Sequence, residues 1–369
     1  MTDSQWTQLE ALIRHDPAGR GVASFQLDGR WLAAGHLRLA AEHLAAHAGS
    51  VAIVTGFSVF DGQRWTAETD GPPGALFLAR ALLALHIPVT LIGDAYCIPV
   101  LEAGCDAWGL PRSLLCEIPF EPGGPEAPHR QSNEADASPV TRAWMEHFFS
   151  EGRGRALSHL IAIERCGPSH TSSSQAEQPW LDSPSRAARL GESGHVDRPA
   201  PCEEFEREVP ADSRNRCHNM RGIDVTPYTA KTHLLFEHAQ RNAITTVGMA
   251  DGGNELGMGS IAWETLRHAI RQGPAARVAC RIAADFTLLA GVSNWAAYAL
   301  AAGCCTLRGR HDVLGGWTSS DQGRLISTMV DRAGAVDGMT GRHEATVDGL
   351  PLADYLSTLT ALLELLNRP

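Results

Sequence analysis

The sequence predicts an α/β fold with a largely parallel central sheet and helices on both faces. Three observations predict it: short apolar runs rich in β-branched residues, helical segments that alternate with these runs, and a hydrophobic content of 44% in 369 residues. Strands that alternate with helices pair in parallel, and ligands bind beyond the carboxyl ends of such strands. The residues that follow each strand are therefore the candidates for function.

Six apolar runs are typical of buried strands, and they lie at residues 51–56, 89–94, 114–120, 159–165, 243–251 and within 280–291. Apolar spacing predicts helices at 5–15, 37–48, 72–85, 101–109, 140–150, 229–241, 294–305, 321–333 and 351–367, with another after Gly259. The apolar window from Phe286 to Leu307 is broken at Ser293 and Asn294, which favours a strand followed by a helix over a membrane span.

The predicted organisation is a single α/β domain at residues 51–369, preceded by a helical N-terminal extension at residues 1–50. Residues 121–139 are rich in Pro, Gly, Glu and Ser and are predicted to form a loop. Residues 167–215 are polar, lack periodicity and are too long for an ordinary connection, so we expect a lid-like excursion there.

The composition excludes several classes of protein. A net charge of −11 argues against nucleic-acid binding. Lys231 is the only lysine, so any Schiff-base chemistry would depend on it. Nine scattered cysteines without a C-x-x-C pair are typical of reduced thiols, and the first residues hold no apolar signal segment. We therefore expect a cytoplasmic protein without a membrane partner.

The first candidate segment follows the strand at 51–56 and holds Glu68 and Asp70 on either side of Thr69. A helix begins at Pro72, and the backbone N–H groups at a helix start attract an anion. Two carboxylates beside that start suit a cation, so the segment describes a site for a metal together with an anionic substrate. The alternative is a surface loop with an Asp-Gly turn.

The second candidate segment, GMADGGNELGMG, begins in the strand at 243–251. Its candidate residues are Asp251, Gly252, Gly253, Asn254 and Glu255. Asp, Asn and Glu supply the oxygen ligands that Mg²⁺ and Mn²⁺ prefer, and glycines let the backbone approach a ligand closely. The alternative is a glycine-rich connection with capping side chains. The segment matches neither G-x-x-x-x-G-K-[ST] nor G-x-G-x-x-G.

Polar residues near other strand ends are further candidates. Glu164 closes a strand as a ligand or general base, or as half of an ordinary surface pair with Arg165. Ser169 and His170 open the excursion. Arg221, in CHNMRG, suits a substrate carboxylate because its planar guanidinium binds one in bidentate fashion.

Three other features carry weaker signals. Asn294 either contacts a ligand or caps a helix. Residues 334–351 are expected to form a structural loop, with a wall of the pocket as the alternative, and Asp337 and Arg342 are its polar candidates. Sixteen histidines invite a zinc site, but no H-x-x-x-H spacing accompanies the glycine-rich segments. A G-x-S-x-G nucleophile motif is absent from the sequence.

Six strings occur in order along the chain: ETDGPPGA (68–75), ERCGPSHT (164–171), NMRG (219–222), GMADGGNELGMG (248–259), GVSNWAAYAL (291–300) and GAVDGMTGR (334–342). Together they resemble the D-glutamate cyclase C-terminal-type domain, over about residues 50 to 350. The resemblance implies an α/β fold and conversion of D-glutamate to 5-oxo-D-proline with loss of water. It also implies metal binding, and the matching strings carry over Glu68, Asp70, Asp251 and Glu255.

The expected function is thus a D-glutamate cyclase-like hydro-lyase acting on a small acidic amino acid, assisted by Mg²⁺ or Mn²⁺. The expected metal ligands are Glu68, Asp70, Asp251 and Glu255, and the expected catalytic residues are Asp251, Glu255 and Glu164. The expected substrate contacts are Asn254, Gly252, Gly253, Arg221, Ser169, His170 and Asn294. No nicotinamide, flavin or pyridoxal phosphate is expected, and a homo-oligomer is left open. Two alternatives are a metal-dependent hydrolase, with a phosphate ester at the helix start of Pro72–Gly74, and a non-catalytic sensor of an acidic metabolite.

Overall fold

Six parallel strands form the central sheet, as the sequence predicts. The computed structural model describes residues 1–19, 21–120, 137–177, 203–271, 273–315 and 317–366. The sheet strands are β1 (Val51–Thr55), β2 (Val89–Gly93), β3 (Leu115–Glu117), β4 (His159–Ile163), β5 (Thr245–Ala250) and β6 (Phe286–Leu289). Their order across the sheet is β3-β2-β1-β4-β5-β6, and every neighbouring pair is parallel.

Helices cover both faces of this sheet. They are α1 (Asp3–Ile13), α2 (His36–His47), α3 (Pro72–Ala84), α4 (Ile98–Trp108), α5 (Pro139–Ser150), α6 (Ser172–Ala176), α7 (Glu203–Glu208), α8 (His233–Arg241), α9 (Trp263–Ala269), α10 (Ala275–Val278), α11 (Ser293–Leu307), α12 (Asp312–Gly315), α13 (Ser319–Ala333) and α14 (Leu352–Leu366). One apolar core holds side chains of α1–α4 and α11–α14, and the other holds side chains of α5 and α7–α10.

The central strands are apolar along most of their length because both of their faces are buried. In β1, Val51 and Ile53 belong to one core, whereas Ala52 and Val54 belong to the other. Side chains alternate between the faces of a strand, so a strand between two helical layers needs apolar residues at every position.

The strand order reverses between β1 and β4. From β1 the chain continues outward through β2 and β3, then returns to the other side of β1 to form β4, β5 and β6. In doubly wound sheets such a switch point leaves a crevice beyond the carboxyl ends of the two strands, where ligands bind. The candidate residues that follow β1, β4 and β5 are therefore delivered to one edge of the sheet.

Some connections differ from the sequence predictions. A hairpin of Ser58–Phe60 and Trp65–Ala67 occupies the loop expected after β1. Asp61 Oδ1 closes it by accepting from the backbone of Gln63 and Arg64, a local turn that apolar periodicity does not reveal. A second ribbon, Gln26–Leu27 with Arg30–Trp31, lies in the N-terminal region.

The loop predicted at 121–139 and the excursion at 167–215 lie partly outside the described residues. The described parts of the excursion include α6 and α7, and α5 begins at Pro139, inside the predicted loop. Among the described residues, no helix has both the length and the apolar character needed to cross a membrane.

Candidate active site

Acidic side chains from distant parts of the chain lie together beyond the carboxyl ends of β1, β4 and β5. They are Glu68, Asp70, Glu164, Asp251, Glu255 and Asp348, hereafter the acidic cluster, and each is at most 6% exposed. One carboxylate oxygen from each of Asp70, Asp251 and Asp348 lies within 4.8 Å of the others, and the same holds for Glu164, Asp251 and Glu255. Asp251 belongs to both groups and joins them. The two stretches singled out in the sequence therefore meet at one edge of the sheet.

Glu164 follows β4 directly and has a left-handed backbone conformation, with φ of +45°. That conformation is uncommon for a residue with a long side chain, and such local strain is found at functional sites. Glu164 Oε2 accepts a hydrogen bond of 2.6 Å from Ser293 Oγ. Burial raises the pKa of Glu164 well above its ordinary value, and neighbouring carboxylates, Asp251 first, raise it further. Glu164 therefore holds a proton at pH values where an exposed glutamate is ionised.

Glu255 is held by the backbone of its own glycine-rich segment. Its Oε1 accepts from Gly252 N at 2.7 Å, and its Oε2 accepts from Gly253 N at 2.6 Å. Gly253 has φ of +109°, a conformation that favours glycine. The two glycines thus turn their amides toward a carboxylate of the chain itself, which fixes the Glu255 side chain within the acidic cluster.

Asp70 and Asn294 cap each other's helices. Asp70 accepts from the backbone N–H groups of Ser293 and Asn294, both at 2.8 Å, and so caps the start of α11. Asn294 Oδ1 in turn accepts from Gly71 N at 3.0 Å and Gly74 N at 2.7 Å, at the start of α3. Asn294 was expected either at a ligand or at a cap, and the structure places it at the cap of the neighbouring helix.

These caps argue against the alternative of a phosphate ester bound at the start of α3. Pro72 and Pro73 have no N–H groups, and the two amides beside them, of Gly71 and Gly74, already donate to Asn294. The start of α3 therefore lacks the free backbone donors that a bound phosphate would need.

Asp348 and Ser293 join the site without having been singled out as site residues. Asp348 lies in an Asp-Gly turn of the loop at 334–351, has φ of +55°, and is 3% exposed. Asp337 organises this loop, because its Oδ1 accepts from Met339 N and its Oδ2 accepts from Gly349 N at 2.7 Å. Ser293 directly precedes Asn294 beyond the carboxyl end of β6. The rule that ligands bind beyond the carboxyl ends of parallel strands could therefore have identified it.

The same loop covers the acidic cluster. Thr69 N donates to Val336 O at 2.8 Å, and Thr69 Oγ1 donates to Thr346 O at 2.6 Å. Gly338 packs so closely on Glu68 that a Cβ atom there would lie 1.7 Å from Glu68 Oε2. The loop considered as a wall of the pocket thus lies directly against the acids.

Three predicted substrate contacts tie loops together around the site. Asn254 Nδ2 donates to His218 O at 2.7 Å, and Ser169 Oγ donates to Ser213 O at 2.9 Å. His170 Nδ1 lies 3.2 Å from Ser174 Oγ, and burial lowers the pKa of His170 to about 3, helped by the charge of Arg281. His170 is therefore neutral at pH 7.

Arg221 is not brought into the acidic cluster. It is exposed on a turn in which Asn219 Oδ1 accepts from Arg221 N and Ile223 N, both at 3.0 Å. Its Nη2 donates to Met339 O at 3.1 Å, which places the guanidinium on the outer side of the covering loop.

Arg165 is buried and does not form a surface pair with Glu164. Its Nη2 lies 2.7 Å from Asp94 Oδ2, and its Nη1 donates to Gly56 O at 2.5 Å. Its exposed fraction is 1%, so the surface-pair alternative proposed for Glu164 and Arg165 is wrong.

The chain matches a family of known proteins. A sequence model described as "D-glutamate cyclase-like, C-terminal" matches residues 9–177 and 204–363. The human protein named "D-glutamate cyclase, mitochondrial" is 30% identical over 300 residues, which cover 80% of this chain and 38% of the human protein. This chain therefore corresponds to little more than a third of that relative. The human name specifies mitochondria, so the cytoplasmic location expected here stays a prediction.

Proposed function

Because the chain belongs to the D-glutamate cyclase-like family, we propose that it closes D-glutamate to 5-oxo-D-proline with loss of water. The observation that carries this proposal is the acidic cluster at the switch point of the sheet, built from the segments that match the family. A small substrate with an ammonium group and two carboxylates fits such a site only if a cation balances the charge.

The acidic cluster has the donor set of a site for Mg²⁺ or Mn²⁺. Buried carboxylates this close together repel one another unless protons or a cation neutralise them. Asp70, Asp251 and Asp348 would hold the ion on one side, and Glu255 would join Asp251 on the other. When bound, the ion polarises the γ-carboxyl group of the substrate and stabilises the departing oxygen.

Glu164 is assigned to proton transfer. In the reaction the amino nitrogen forms a bond to the carbon of the γ-carboxyl group, one C–O bond of that group breaks, and two protons move from the ammonium group to the oxygen that leaves as water. The raised pKa of Glu164 suits a group that exchanges these protons with the substrate. The Ser293 hydroxyl fixes Oε2 while this happens.

The loop at 334–351 must move for substrate to reach the acids, because all six carboxylates are nearly fully buried. Asp337 holds the turns of this loop, so the loop moves as a unit. Arg221, the expected partner of the α-carboxylate, donates to Met339 O on the outer side of this loop, so this assignment requires the loop movement to bring its guanidinium to the acids.

The direct test incubates the purified chain and Mn²⁺ with D-glutamate or L-glutamate and measures 5-oxoproline by chiral chromatography with mass spectrometry. We expect product from D-glutamate and its loss in Asp251→Asn, with activity retained in the exposed control Asp331→Asn. Absence of product from both enantiomers contradicts the proposal. Thermal stabilisation by D-glutamate without turnover would favour the sensor alternative.

A further inference from the structure

Three histidines meet at the opposite edge of the sheet from the acidic cluster. His43 and His47 lie on α2, and His159 begins β4. The ring centres of His43 and His47 are 4.7 Å apart, and those of His43 and His159 are 5.1 Å apart. His43 Nδ1 lies 3.0 Å from His159 Nε2. H-x-x-x-H spacing, absent beside the glycine-rich segments, is thus present on α2 with a third histidine against it.

The two packed imidazoles lie in a hydrogen-bonded setting. His159 Nδ1 lies 2.9 Å from Ser158 Oγ, which also accepts from Gly49 N at 2.9 Å and Ser50 N at 3.1 Å. Burial lowers the pKa of His159 to about 4, with the neighbouring His43 and His47 lowering it further, and burial also lowers the pKa of His43. Both imidazoles are therefore neutral at pH 7, as metal binding requires.

We propose that His43, His47 and His159 form a second metal site, for a divalent ion of the zinc, nickel or copper class. Two imidazole nitrogens bound to one ion at about 2.0–2.1 Å lie roughly 2.9–3.4 Å apart, with ring centres about 4.5–5.2 Å apart. The His43–His159 nitrogen separation of 3.0 Å and the two ring separations of 4.7 Å and 5.1 Å fall in these ranges, and the His47 ring must turn to bring its nitrogen to the same point. Imidazole nitrogen selects these metals, whereas carboxylates select Mg²⁺ or Mn²⁺.

The surroundings support a cation here. Ser158 Oγ lies 2.9 Å from His159 Nδ1, an outer contact of the kind that orients a ligating histidine. His47 is exposed, so its ring can turn toward the ion and an ion can approach from solvent. The negative charge of Asp285 also acts on His43 and favours a cation there. This site is independent of the proposed cyclase reaction.

The test titrates Zn²⁺ into the chelator-treated full chain by calorimetry. We expect an ion that still binds in Asp251→Asn, where the acidic cluster is impaired, and whose binding is weakened at least about tenfold in His47→Ala but unchanged in the exposed control His311→Ala. His47 is exposed, so its variant folds even if His43→Gln does not. With Cu²⁺, electron paramagnetic resonance should show nitrogen hyperfine coupling that His47→Ala reduces. Equal Zn²⁺ binding in wild type and His47→Ala, or a Cu²⁺ spectrum with oxygen ligands alone, overturns the proposal.

Discussion

Glu164 and Arg165 are neighbours in the sequence, yet they enter regions of opposite electrostatic character. Arg165 is surrounded by acceptors: Asp94 at 2.7 Å, and the carbonyls of Gly56 at 2.5 Å and Ala230 at 3.1 Å. Glu164 is surrounded by other carboxylates, and the four neighbouring charges that raise its pKa are all of this type. Both residues are almost fully buried.

The difference separates a structural charge from a functional one. A buried ion pair such as Arg165 with Asp94 is balanced inside the fold and needs nothing further. Buried like charges lower stability and persist where binding or chemistry uses them, so perturbed acids in a crevice mark a functional site. The family match does not distinguish the two regions, but the charge balance does.

The largest effect on the free energy of unfolding is expected at Arg165, whose charge is balanced by Asp94. Arg165→Met leaves Asp94 buried without its cation and should lower the free energy of unfolding by about 3–5 kcal/mol, measured by urea denaturation. The control is Arg112→Met, which removes a pair that is 53% exposed at Arg112 and should lower the free energy of unfolding far less, because solvent screens the pair. Equal losses in the two variants would mean that the Arg165 pair contributes no more than a surface pair.

The next prediction concerns Mn²⁺ binding and the loop at 334–351, which contributes Asp348 to the acidic cluster. Asp348→Asn removes one of three carboxylates that would hold an ion, and should weaken Mn²⁺ binding about tenfold to a hundredfold. Calorimetry on the chelator-treated chain measures this, with the exposed Asp354→Asn as the matched control. If both variants bind Mn²⁺ like wild type, Asp348 is not a ligand.

Glu164→Gln should change the pH dependence of stability. The folded chain binds a proton at Glu164 that the unfolded chain releases above about pH 4.5, so wild-type stability falls, relative to the variant, as pH rises above that value. In chelator-treated samples the difference in free energy of unfolding should therefore move in favour of the variant between about pH 4.5 and about pH 7.5, as measured by urea denaturation at each pH.

The difference between the two curves isolates Glu164, because histidines with lowered pKa values, such as His170 and His218, are common to both proteins. A difference that does not change between pH 4 and pH 8 would show that Glu164 titrates normally.

The smallest effect on the free energy of unfolding is expected from a substitution of Ser293. Ser293→Ala removes the hydroxyl that donates to Glu164 and leaves the backbone N–H that donates to Asp70. The loss should change the free energy of unfolding by only about 1 kcal/mol. Because the hydroxyl stabilises the ionised form of Glu164, the pH profile of 5-oxoproline formation should shift upward in the variant. An unchanged profile would make the Ser293 contact purely structural.

The sequence was sufficient for the sheet and for the location of the site. Buried strands are continuous apolar runs, so their positions were visible, and parallel topology sends their carboxyl ends to one edge. That is why the Glu68 and Asp251 segments, nearly two hundred residues apart, were expected to meet.

The remaining site residues depend on contacts that have no local signal. Asp348 enters from a loop that follows α13 rather than a sheet strand, so the strand-end rule does not reach it. Asn294 caps the neighbouring α3 instead of its own helix, which depends on how α3 and α11 pack. The partner of Arg165 likewise comes from the end of β2, far along the chain.

The most direct measurement of the central claim is the binding of Mn²⁺ to the chelator-treated chain at pH 7, followed by calorimetry in buffers of different ionisation enthalpy. A cation that completes the acidic cluster should bind with release of protons, and both binding and proton release should diminish in Asp251→Asn. Mn²⁺ that does not bind, or that binds equally well to Asp251→Asn, would contradict the account.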